Sequence, residues 1–302
     1  MAASVLTLIA AEAEADTEPW ADAAARALER LGAQLDATER LAPRHAVDIP
    51  FDGLDPDQAE AAVRAGLKLG FDGPPVDALA QPAAGRRKRL LLSDMESTVI
   101  ANEMLVEIAA LAGIEKPIAE ITRRAMNDEI DFTTALKERV ALLRDRPAAL
   151  LDRAARRIRI TAGAAAMVAT MRKHGALAVL ISGGFTVFTD PVACTLGFDR
   201  AVANRLLVED GKIAGVAEPI LTRDSKLATL TRMAAEHSLK LAETLAIGDG
   251  ANDLPMIGAA GLGIAFHSHP NVAPRARHRI DHADLTAALY AQGYRRDEIV
   301  GG

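Results

Sequence analysis

The sequence predicts an α/β protein with a doubly wound parallel sheet and an inserted helical cap, preceded by a small α+β domain. Two observations predict this class. From Arg89 onwards, short apolar runs alternate with segments of helical periodicity, which is typical of a parallel sheet with helices on both faces. Half of the 302 residues are hydrophobic but only 3% are aromatic, and this composition favours helices on an aliphatic sheet over a β-sandwich.

The first part of the chain, up to residue 85, is predicted to form the small α+β domain. Its predicted strands are residues 5–9 and 46–51, and its predicted helices are residues 20–31 and 56–67. The Gly- and Pro-containing residues 73–85 are predicted to be a linker. Because no cluster of catalytic residue types occurs here, we expect a role in packing or in homodimer formation, with ligand sensing as the alternative.

Residues 86–302 are predicted to form the second domain, which begins with an apolar strand at residues 90–92. The helical stretch at residues 103–157 lies between the first and second strands, so we expect a cap of about residues 102–160 above the active site. Later strands are predicted at residues 176–181, 201–208, 244–247 and 263–266, and the strand at residues 201–208 is predicted to form a hairpin through Asp210-Gly211 to Ile213. Helices are predicted at residues 186–196 and 224–237, with a short helix after Asn252.

Composition and charge exclude several classes of function. The formal net charge of -6 argues against nucleic-acid binding, and the short basic run at residues 86–89 is interpreted as a solvated domain junction. The single cysteine, Cys194, excludes an intrachain disulfide framework and fits a reducing compartment. Residues 5–11 are apolar, but no Lys or Arg precedes them and Glu12 follows, so we reject a signal peptide. We expect a cytoplasmic protein without a membrane partner.

Small and polar residues follow three of the predicted strands. Asp94 ends the first strand, Ser182-Gly183-Gly184 follows the second, and residues 248–253, Gly-Asp-Gly-Ala-Asn-Asp, follow a later one. Because the carboxyl ends of parallel strands meet at one edge of an open sheet, we expect these groups in a single crevice. Lys226, near the start of its helix, is expected to join them.

These residue types are suited to phosphoryl transfer. Two separated Asp residues among oxygen groups suit a hard cation, above all Mg²⁺, and the Ser, the Lys and the glycine amides suit phosphate oxygens. A carboxylate can act as the nucleophile and form an aspartyl-phosphate, which divides a difficult hydrolysis into two easier steps. The cation and Lys226 would offset the repulsion between Asp94 and a phosphate dianion.

The same segments, taken in order, resemble the motifs of the haloacid dehalogenase-like phosphatases: residues 94–98, residues 182–184, Lys226 and residues 248–253. More narrowly, Glu103, Met126, Phe132 and residues 137–140 resemble the cap of the phosphoserine phosphatase family. The resemblance covers about residues 89–290. The first 85 residues are similar only in general pattern to the ACT-like unit that precedes the catalytic part in bacterial members.

The resemblance implies Mg²⁺-dependent hydrolysis of O-phospho-L-serine to L-serine and phosphate. Asp94 is the implied nucleophile, and the implied metal ligands are Asp94, Asp249 and the backbone carbonyl of Glu96, with Asp253 supporting the water shell of the metal. The implied substrate-binding residues are Ser182, Gly183, Lys226 and Asn252 for the phosphoryl group, Glu103 for the ammonium group, Arg139 for the carboxylate, and Met126 and Phe132.

One position departs from the family pattern. The family has a second Asp two residues after the nucleophile, which protonates the leaving serine oxygen and then activates water, and this chain has Glu96 there. The extra methylene moves the carboxyl by more than about 1 Å unless the side chain folds back, and such a displacement can cost on the order of a hundredfold in rate. We therefore predict intact Mg²⁺ binding and hydrolysis slower than in a Glu96→Asp variant.

Taken singly, these residues have less specific explanations. Asp94 alone would most often be a helix cap or a turn residue. By spacing alone, Met126 and Phe132 would most often be core residues, and Arg139 would lie on a solvated helix face. The histidines near the C-terminus match no standard zinc spacing.

Two other functions are compatible with the sequence. A phosphoenzyme of this kind could transfer its phosphoryl group to another alcohol or act on another small phosphomonoester, and the released product would separate these reactions. A regulatory protein weakened by Glu96 could instead bind phosphoserine or serine without turnover. Binding of phosphoserine without phosphate release would favour the regulatory alternative.

Overall fold

A computed structural model describes residues 2–12, 17–68, 75–126, 129–222 and 224–301, without the side chains of Lys68 and Met126. Within these residues the strands form an antiparallel sheet near the N-terminus, a six-stranded sheet in the remainder and a two-stranded hairpin. No helix in this part of the chain is long and apolar enough to cross a membrane.

The N-terminal sheet is antiparallel, in the order β2-β4-β1-β5, with β3 also paired to β4. Its strands are β1 Ser4–Ala10, β2 Gln34–Leu35, β3 Glu39–Ala42, β4 Ala46–Asp52 and β5 Val76–Pro82, and its helices are α1 Glu18–Arg30 and α2 Pro56–Lys68. Every residue of β1 is buried. Leu6 and Leu8 pack with the helices, whereas Ile9 packs with the second part of the chain, so both faces of this sheet are covered.

The predicted linker is wrong for residues 76–82, which form the edge strand β5. The strand pairs with β1 along its whole length, and its five central residues are buried or nearly so. Gly and Pro residues on either side of this segment suggested a linker, but they border a strand instead. Residues 73 and 74 lie outside the described residues.

The six-stranded sheet has the order β13-β12-β11-β6-β7-β8, and all its neighbouring pairs are parallel. Its strands are β6 Leu90–Asp94, β7 Leu177–Phe185, β8 Arg200–Asn204, β11 Thr244–Gly248, β12 Leu262–Phe266 and β13 His278–Ile280. The central strand β6 is buried at every residue, as the continuous apolar run predicted for a strand covered on both faces. The predicted fold class is confirmed.

The strand predicted at residues 201–208 is wrong as a single element. Its first half belongs to β8, and its second half is β9 Leu206–Glu209, which pairs with β10 Lys212–Val216 in the separate hairpin. The predicted hairpin turn at Asp210-Gly211 is confirmed. Both residues have positive φ, which is the backbone conformation that a tight hairpin of this kind needs.

Four of the five described helices between β6 and β7 lie at the position predicted for the cap. They are α3 Met104–Ala112, α4 Glu115–Met126, α5 Phe132–Ala141 and α6 Ala149–Ala155. Helix α3 ends at Gly113, which has a φ of 69°, because a left-handed residue closes the last turn with little strain when it is glycine. The remaining helices are α7 Ala164–Lys173, α8 Thr186–Leu196, α9 Ser225–Glu236, α10 Leu254–Ala259 and α11 Ala287–Ala291.

Buried polar contacts join the N-terminal sheet to the end of the chain. The Asp77 carboxylate accepts hydrogen bonds from the backbone N–H groups of residues 281–283. Glu60 lies 2.7 Å from the Nδ1 atom of His278, and both side chains are almost fully buried. These bonds satisfy polar groups that would otherwise be costly to bury.

The basic run at residues 86–89 lies at this junction, but it is not solvated throughout. Arg86 and Lys88 are mostly buried, whereas Arg89 is exposed and pairs with Glu243. The guanidinium group of Arg86 contacts both carboxylate oxygens of Asp48 at 2.6 and 3.1 Å. The predicted solvation of this run is therefore wrong for Arg86 and Lys88.

We expect Arg86→Met to lower the free energy of unfolding by about 3–5 kcal/mol, because it leaves the buried Asp48 carboxylate without its cation. Arg89→Met is the matched control from the same run. Its pair with Glu243 is exposed, so its loss should cost less than about 1 kcal/mol. Urea unfolding of the two variants measures both values, and equal values would contradict this account of the junction.

Candidate active site

The carboxyl ends of the three neighbouring strands β11, β6 and β7 bring the predicted residues together. Asp94 is the last residue of β6, Asp249 follows β11, and Ser182 lies within β7 near its end. The parallel register Ile247↔Ser93 and Asp94↔Ile181 sets these three positions at one level of the sheet. This edge is where open α/β sheets hold their ligands.

Three carboxylates form a cluster at this edge. Asp94, Asp249 and Asp253 each offer an oxygen atom within 4.8 Å of the others. Burial raises the pKa of Asp94 well above its ordinary value, and the charge of Asp253 adds to the effect. Burial also raises the pKa of Asp249 to about 7, again with a contribution from Asp253. A set of hard oxygen donors whose charges repel one another is suited to a divalent cation.

Lys226 supplies the positive charge of the cluster. Its Nζ atom lies 2.7 Å from Asp94 and 2.5 Å from Asp253, and the side chain is 5% exposed. Burial lowers the pKa of the Lys226 ammonium group, but the two carboxylates outweigh that effect and raise the pKa above its ordinary value. The lysine is therefore charged and held beside the Asp94 carboxylate.

Asp253 is held by the protein through both of its oxygens. One accepts from Lys226 and the other accepts from the N–H of Gly250 at 3.0 Å. The chain must pass very close to this carboxylate, since a Cβ atom on Gly248 would lie 2.4 Å from the Asp253 Cγ atom. Position 248 therefore requires a glycine for packing. Because both of its oxygens already have protein partners, Asp253 supports the cluster and is not an open ligand position.

Ser182 and Gly183 lie in a bulge of β7. The pairing with β8 passes from Ile181↔Val202 to Phe185↔Asn204, so four residues of β7 advance while β8 advances two. The Ser182 hydroxyl accepts a hydrogen bond from the N–H of Gly184 at 2.9 Å. A β-bulge frees backbone groups from the ladder, which leaves this segment able to contact a ligand.

Glu96 is folded back over the bulge. One carboxylate oxygen accepts from the N–H of Met104, the first residue of α3, at 2.7 Å, and the other lies 3.4 Å from the Ser182 hydroxyl. A Cβ atom on Gly184 would lie 2.9 Å from Glu96 Oε2. Burial raises the pKa of Glu96 to about 7, and the charge of Glu103 adds to this, so near neutral pH the carboxyl can both give and take a proton.

The cap and the sheet edge enclose a cavity of about 150 Å³. The predicted residues that line it are Asp94, Glu96, Glu103, Phe132, Arg139, Gly183, Asp249 and Asn252. Ser182 and Lys226 line an adjoining pocket with Phe132, Gly183 and Asn252. The side chain of Met126 lies outside the described residues.

Within this cavity the cap carries one charge of each sign. Burial lowers the pKa of the Arg139 guanidinium group, and the Nε atom of Arg139 donates to the carbonyl of Ala135 at 3.2 Å. Glu103 accepts a hydrogen bond from the Ser97 hydroxyl at 2.7 Å. The cap therefore presents a carboxylate and a guanidinium group above the carboxylate cluster.

Two further polar residues support the site and were not among the predicted ones. Ser97, with a φ of 54°, holds Glu103. Asn204 contacts Gly183, with its Nδ2 atom donating to the carbonyl at 2.8 Å. Ser97 lies within the motif at residues 94–98, so its hydroxyl could have been assigned to the site from the sequence. Nothing in the local sequence pairs Asn204 with a residue 21 positions away.

Comparison with known proteins agrees with this geometry. Residues 91–258 match the model of the family described as haloacid dehalogenase-like hydrolase. The chain is 38% identical over 289 residues to the phosphoserine phosphatase of Streptomyces coelicolor, and the aligned residues cover 93% of this chain and 69% of that protein. It is 34% identical over 292 residues to phosphoserine phosphatase SerB2 of Mycobacterium tuberculosis, covering 92% and 68% of the two chains.

Solved structures of similar proteins have the same fold. A hydrolase of this family from Salmonella enterica serovar Typhi matches with a TM-score of 0.82 at 26% identity, over 95% of this chain and 97% of that one. A structure described as a phospho-aspartyl intermediate analogue of phosphoserine phosphatase matches with a TM-score of 0.63 at 38% identity, over 68% and 98% of the two chains. The predicted resemblance is confirmed, and the chain belongs to the haloacid dehalogenase-like hydrolases.

Proposed function

We propose that the chain is a Mg²⁺-dependent phosphoserine phosphatase that works through an aspartyl-phosphate on Asp94. The observation that carries the proposal is the buried contact of 2.7 Å between Asp94 and Lys226, directly beneath a cavity that Glu103 and Arg139 line. The carboxylate could attack a phosphoryl group, and the buried cation beside it could stabilise the phosphoryl oxygens. The two cap charges match the two ends of an amino acid.

The charges of the cavity are complementary to phosphoserine. Its ammonium group would pair with Glu103, and its carboxylate would pair with the planar guanidinium group of Arg139. Its phosphoryl group would lie at the sheet edge, where four polar groups surround it: the Ser182 hydroxyl, the Gly183 N–H, Lys226 and Asn252. The phosphoserine phosphatases with 34–38% identity to this chain support this assignment.

In the first step an Asp94 carboxylate oxygen attacks phosphorus, and the bond from phosphorus to the serine oxygen breaks. Glu96 donates its proton to that oxygen, so serine leaves as a neutral hydroxyl. Lys226 stabilises the negative charge that gathers on the phosphoryl oxygens. The matching structure described as a phospho-aspartyl intermediate analogue supports a covalent intermediate on Asp94.

In the second step Glu96, now a carboxylate, takes a proton from water, and the water oxygen attacks phosphorus. The bond between phosphorus and the Asp94 oxygen breaks, which releases phosphate and restores the carboxylate. The distance of 3.4 Å between the Glu96 carboxylate and the Ser182 hydroxyl supports this role of Glu96 in both steps.

The donor set fits Mg²⁺. Asp94, Asp249 and the backbone carbonyl of Glu96 would hold the cation, and Asp253, already bonded to Lys226 and Gly250, would support its water shell. When bound, the cation supplies positive charge that offsets the repulsion between the carboxylates and the phosphoryl group.

We also propose that the chain consists of two domains. Residues 1–85 would be the small ACT-like domain and residues 86–302 the catalytic domain, with the cap at about residues 102–160. The buried Arg86–Asp48 and Asp77 contacts support a fixed packing role for the first domain. Homodimer formation and a cytoplasmic location stay part of the proposal.

The test is phosphate release from O-phospho-L-serine with and without Mg²⁺, beside phosphoethanolamine, which lacks the carboxylate. We expect Mg²⁺-dependent release from phosphoserine and a much higher KM for phosphoethanolamine, because Arg139 then lacks a partner. Free serine and inorganic phosphate in equal amounts are expected, and a phosphorylated second alcohol would indicate transfer instead. Binding of phosphoserine without phosphate release would contradict the proposal.

We expect Glu96→Asp to release phosphate faster than the wild type, by up to roughly a hundredfold. The Glu96 carboxyl accepts a hydrogen bond from the Met104 N–H at 2.7 Å, and we expect the shorter Asp side chain to hold its carboxyl closer to the reacting oxygen. Steady-state kcat with saturating Mg²⁺ measures the effect. Unchanged or lower turnover would show that the anchored Glu96 already holds its proton in the productive position.

A further inference from the structure

Asn204 lies at the end of the edge strand β8, beside the bulge of β7, and is 2% exposed. The bulge removes backbone groups from the strand ladder, and a buried carbonyl without a partner is costly. The Asn204 Nδ2 atom donates to the Gly183 carbonyl at 2.8 Å. The side chain of the neighbouring strand thus replaces the ladder bond that the bulge has removed.

The same peptide unit is held at its other end. Its N–H belongs to Gly184 and donates to the Ser182 hydroxyl oxygen at 2.9 Å. Because a peptide unit is planar and rigid, fixing the Gly183 carbonyl also fixes the direction of the Gly184 N–H. Asn204 therefore acts on the Ser182 hydroxyl through one intervening peptide.

The other end of the Asn204 amide reaches the segment that leads to Lys226. Its Oδ1 atom accepts from the N–H of Leu221 at 2.7 Å. The next residue, Thr222, donates its N–H to the Ser225 hydroxyl at 2.7 Å, and Ser225 begins helix α9 one residue before Lys226. One buried amide thus connects the segments that carry Ser182 and Lys226.

We propose that Asn204 is a positioning residue that sets the Ser182–Gly183 bulge relative to Lys226 and thereby determines how tightly the phosphoryl group is bound. The inference rests on the proposed function and deepens it. Asn204 does not touch the cavity that holds the amino-acid part of the substrate, so its effect should concern the phosphoryl group. The binding of both inorganic phosphate and phosphoserine would therefore depend on Asn204.

The decisive variant is Asn204→Asp, which keeps the size of the side chain and the acceptor for Leu221 but replaces the donor to Gly183 by an oxygen. The matched control is Gln292→Glu, because Gln292 is 1% exposed and also holds two backbone groups, the N–H of Lys88 and the carbonyl of Ala288. It lies away from the phosphoryl site. The second variant is Asn204→Ala, which removes both bonds.

We expect the inhibition constant of inorganic phosphate and the KM for phosphoserine to rise roughly 10–100-fold in Asn204→Asp, as a displacement near 1 Å predicts. Gln292→Glu should lower Tm and leave both constants within about twofold, since neither depends on the fraction of folded enzyme. A purely structural role of Asn204 would lower Tm alone.

The inference is overturned if both Asn204 variants keep the wild-type phosphate inhibition constant and KM, or if Gln292→Glu changes them equally. Calorimetric binding of inorganic phosphate to the wild type and both Asn204 variants, with Mg²⁺ present, gives the same comparison without turnover. Absence of phosphoserine hydrolysis in the wild type would instead contradict the proposed function. Calorimetry would then still decide the role of Asn204.

Discussion

Asp94→Asn is expected to lower kcat for phosphoserine by roughly 10⁴-fold or more, the loss typical of removing a nucleophile. An amide is a poor nucleophile, and it cannot form the aspartyl-phosphate through which hydrolysis is divided into two steps. The substitution keeps the size of the side chain, and an amide oxygen can still accept from Lys226. Phosphate release with saturating Mg²⁺ measures the loss, and Tm checks that the variant is folded.

Asp199→Asn is the matched control for this variant. Asp199 precedes β8 and accepts from the N–H of Ala178, near the start of β7, so it lies at the opposite end of the strands from Asp94. We expect wild-type activity within a few-fold. An active Asp94→Asn enzyme, shown by mass spectrometry not to have deamidated, would exclude Asp94 as the nucleophile.

Lys226→Met is expected to lower kcat/KM by roughly 10³–10⁵-fold, the range known for removing a cation from a phosphoryl-transfer site. The variant also leaves Asp94 and Asp253, both buried, without their ammonium partner. Breaking a buried pair in this way typically costs about 3–5 kcal/mol. Activity and unfolding free energy should therefore fall together.

Mg²⁺ distinguishes this account from a purely structural role of Lys226. The cation adds positive charge to the same carboxylates, so it should raise Tm more in Lys226→Met than in the wild type. Thermal unfolding with and without Mg²⁺ measures the difference. Activity of Lys226→Met within tenfold of the wild type would contradict the place of Lys226 in the phosphoryl site.

The parts of the fold that could be predicted from sequence are those with a local signal. The run Leu90–Leu92 predicted the central strand because both faces of that strand are buried. The short strands β2, β3 and β13 have two to four residues and too little periodicity to be recognised. Strand β5 was hidden because flanking Gly and Pro residues suggested a linker.

The residues of the site also differ in whether a local sequence signal predicts them. Asp94, Ser182 and Asp249 could be predicted because each comes shortly after an apolar run that predicts a strand, and parallel strands end at one edge. The bond from Met104 to Glu96 and the bonds of Asn204 depend on how the cap and the edge strand pack. The burial of Arg86 depends on Asp48, 38 residues earlier. Contacts between distant segments have no signature in a single local stretch.

Acid quenching of the enzyme during turnover tests most directly whether Asp94 carries a covalent phosphoryl group. Wild-type protein is mixed with phosphoserine labelled in its phosphoryl group and with Mg²⁺, then quenched in acid and digested. We predict label on the peptide that contains Asp94, and none in Asp94→Asn. Rapid phosphoserine hydrolysis with label on another residue, or label retained by Asp94→Asn, would contradict the account.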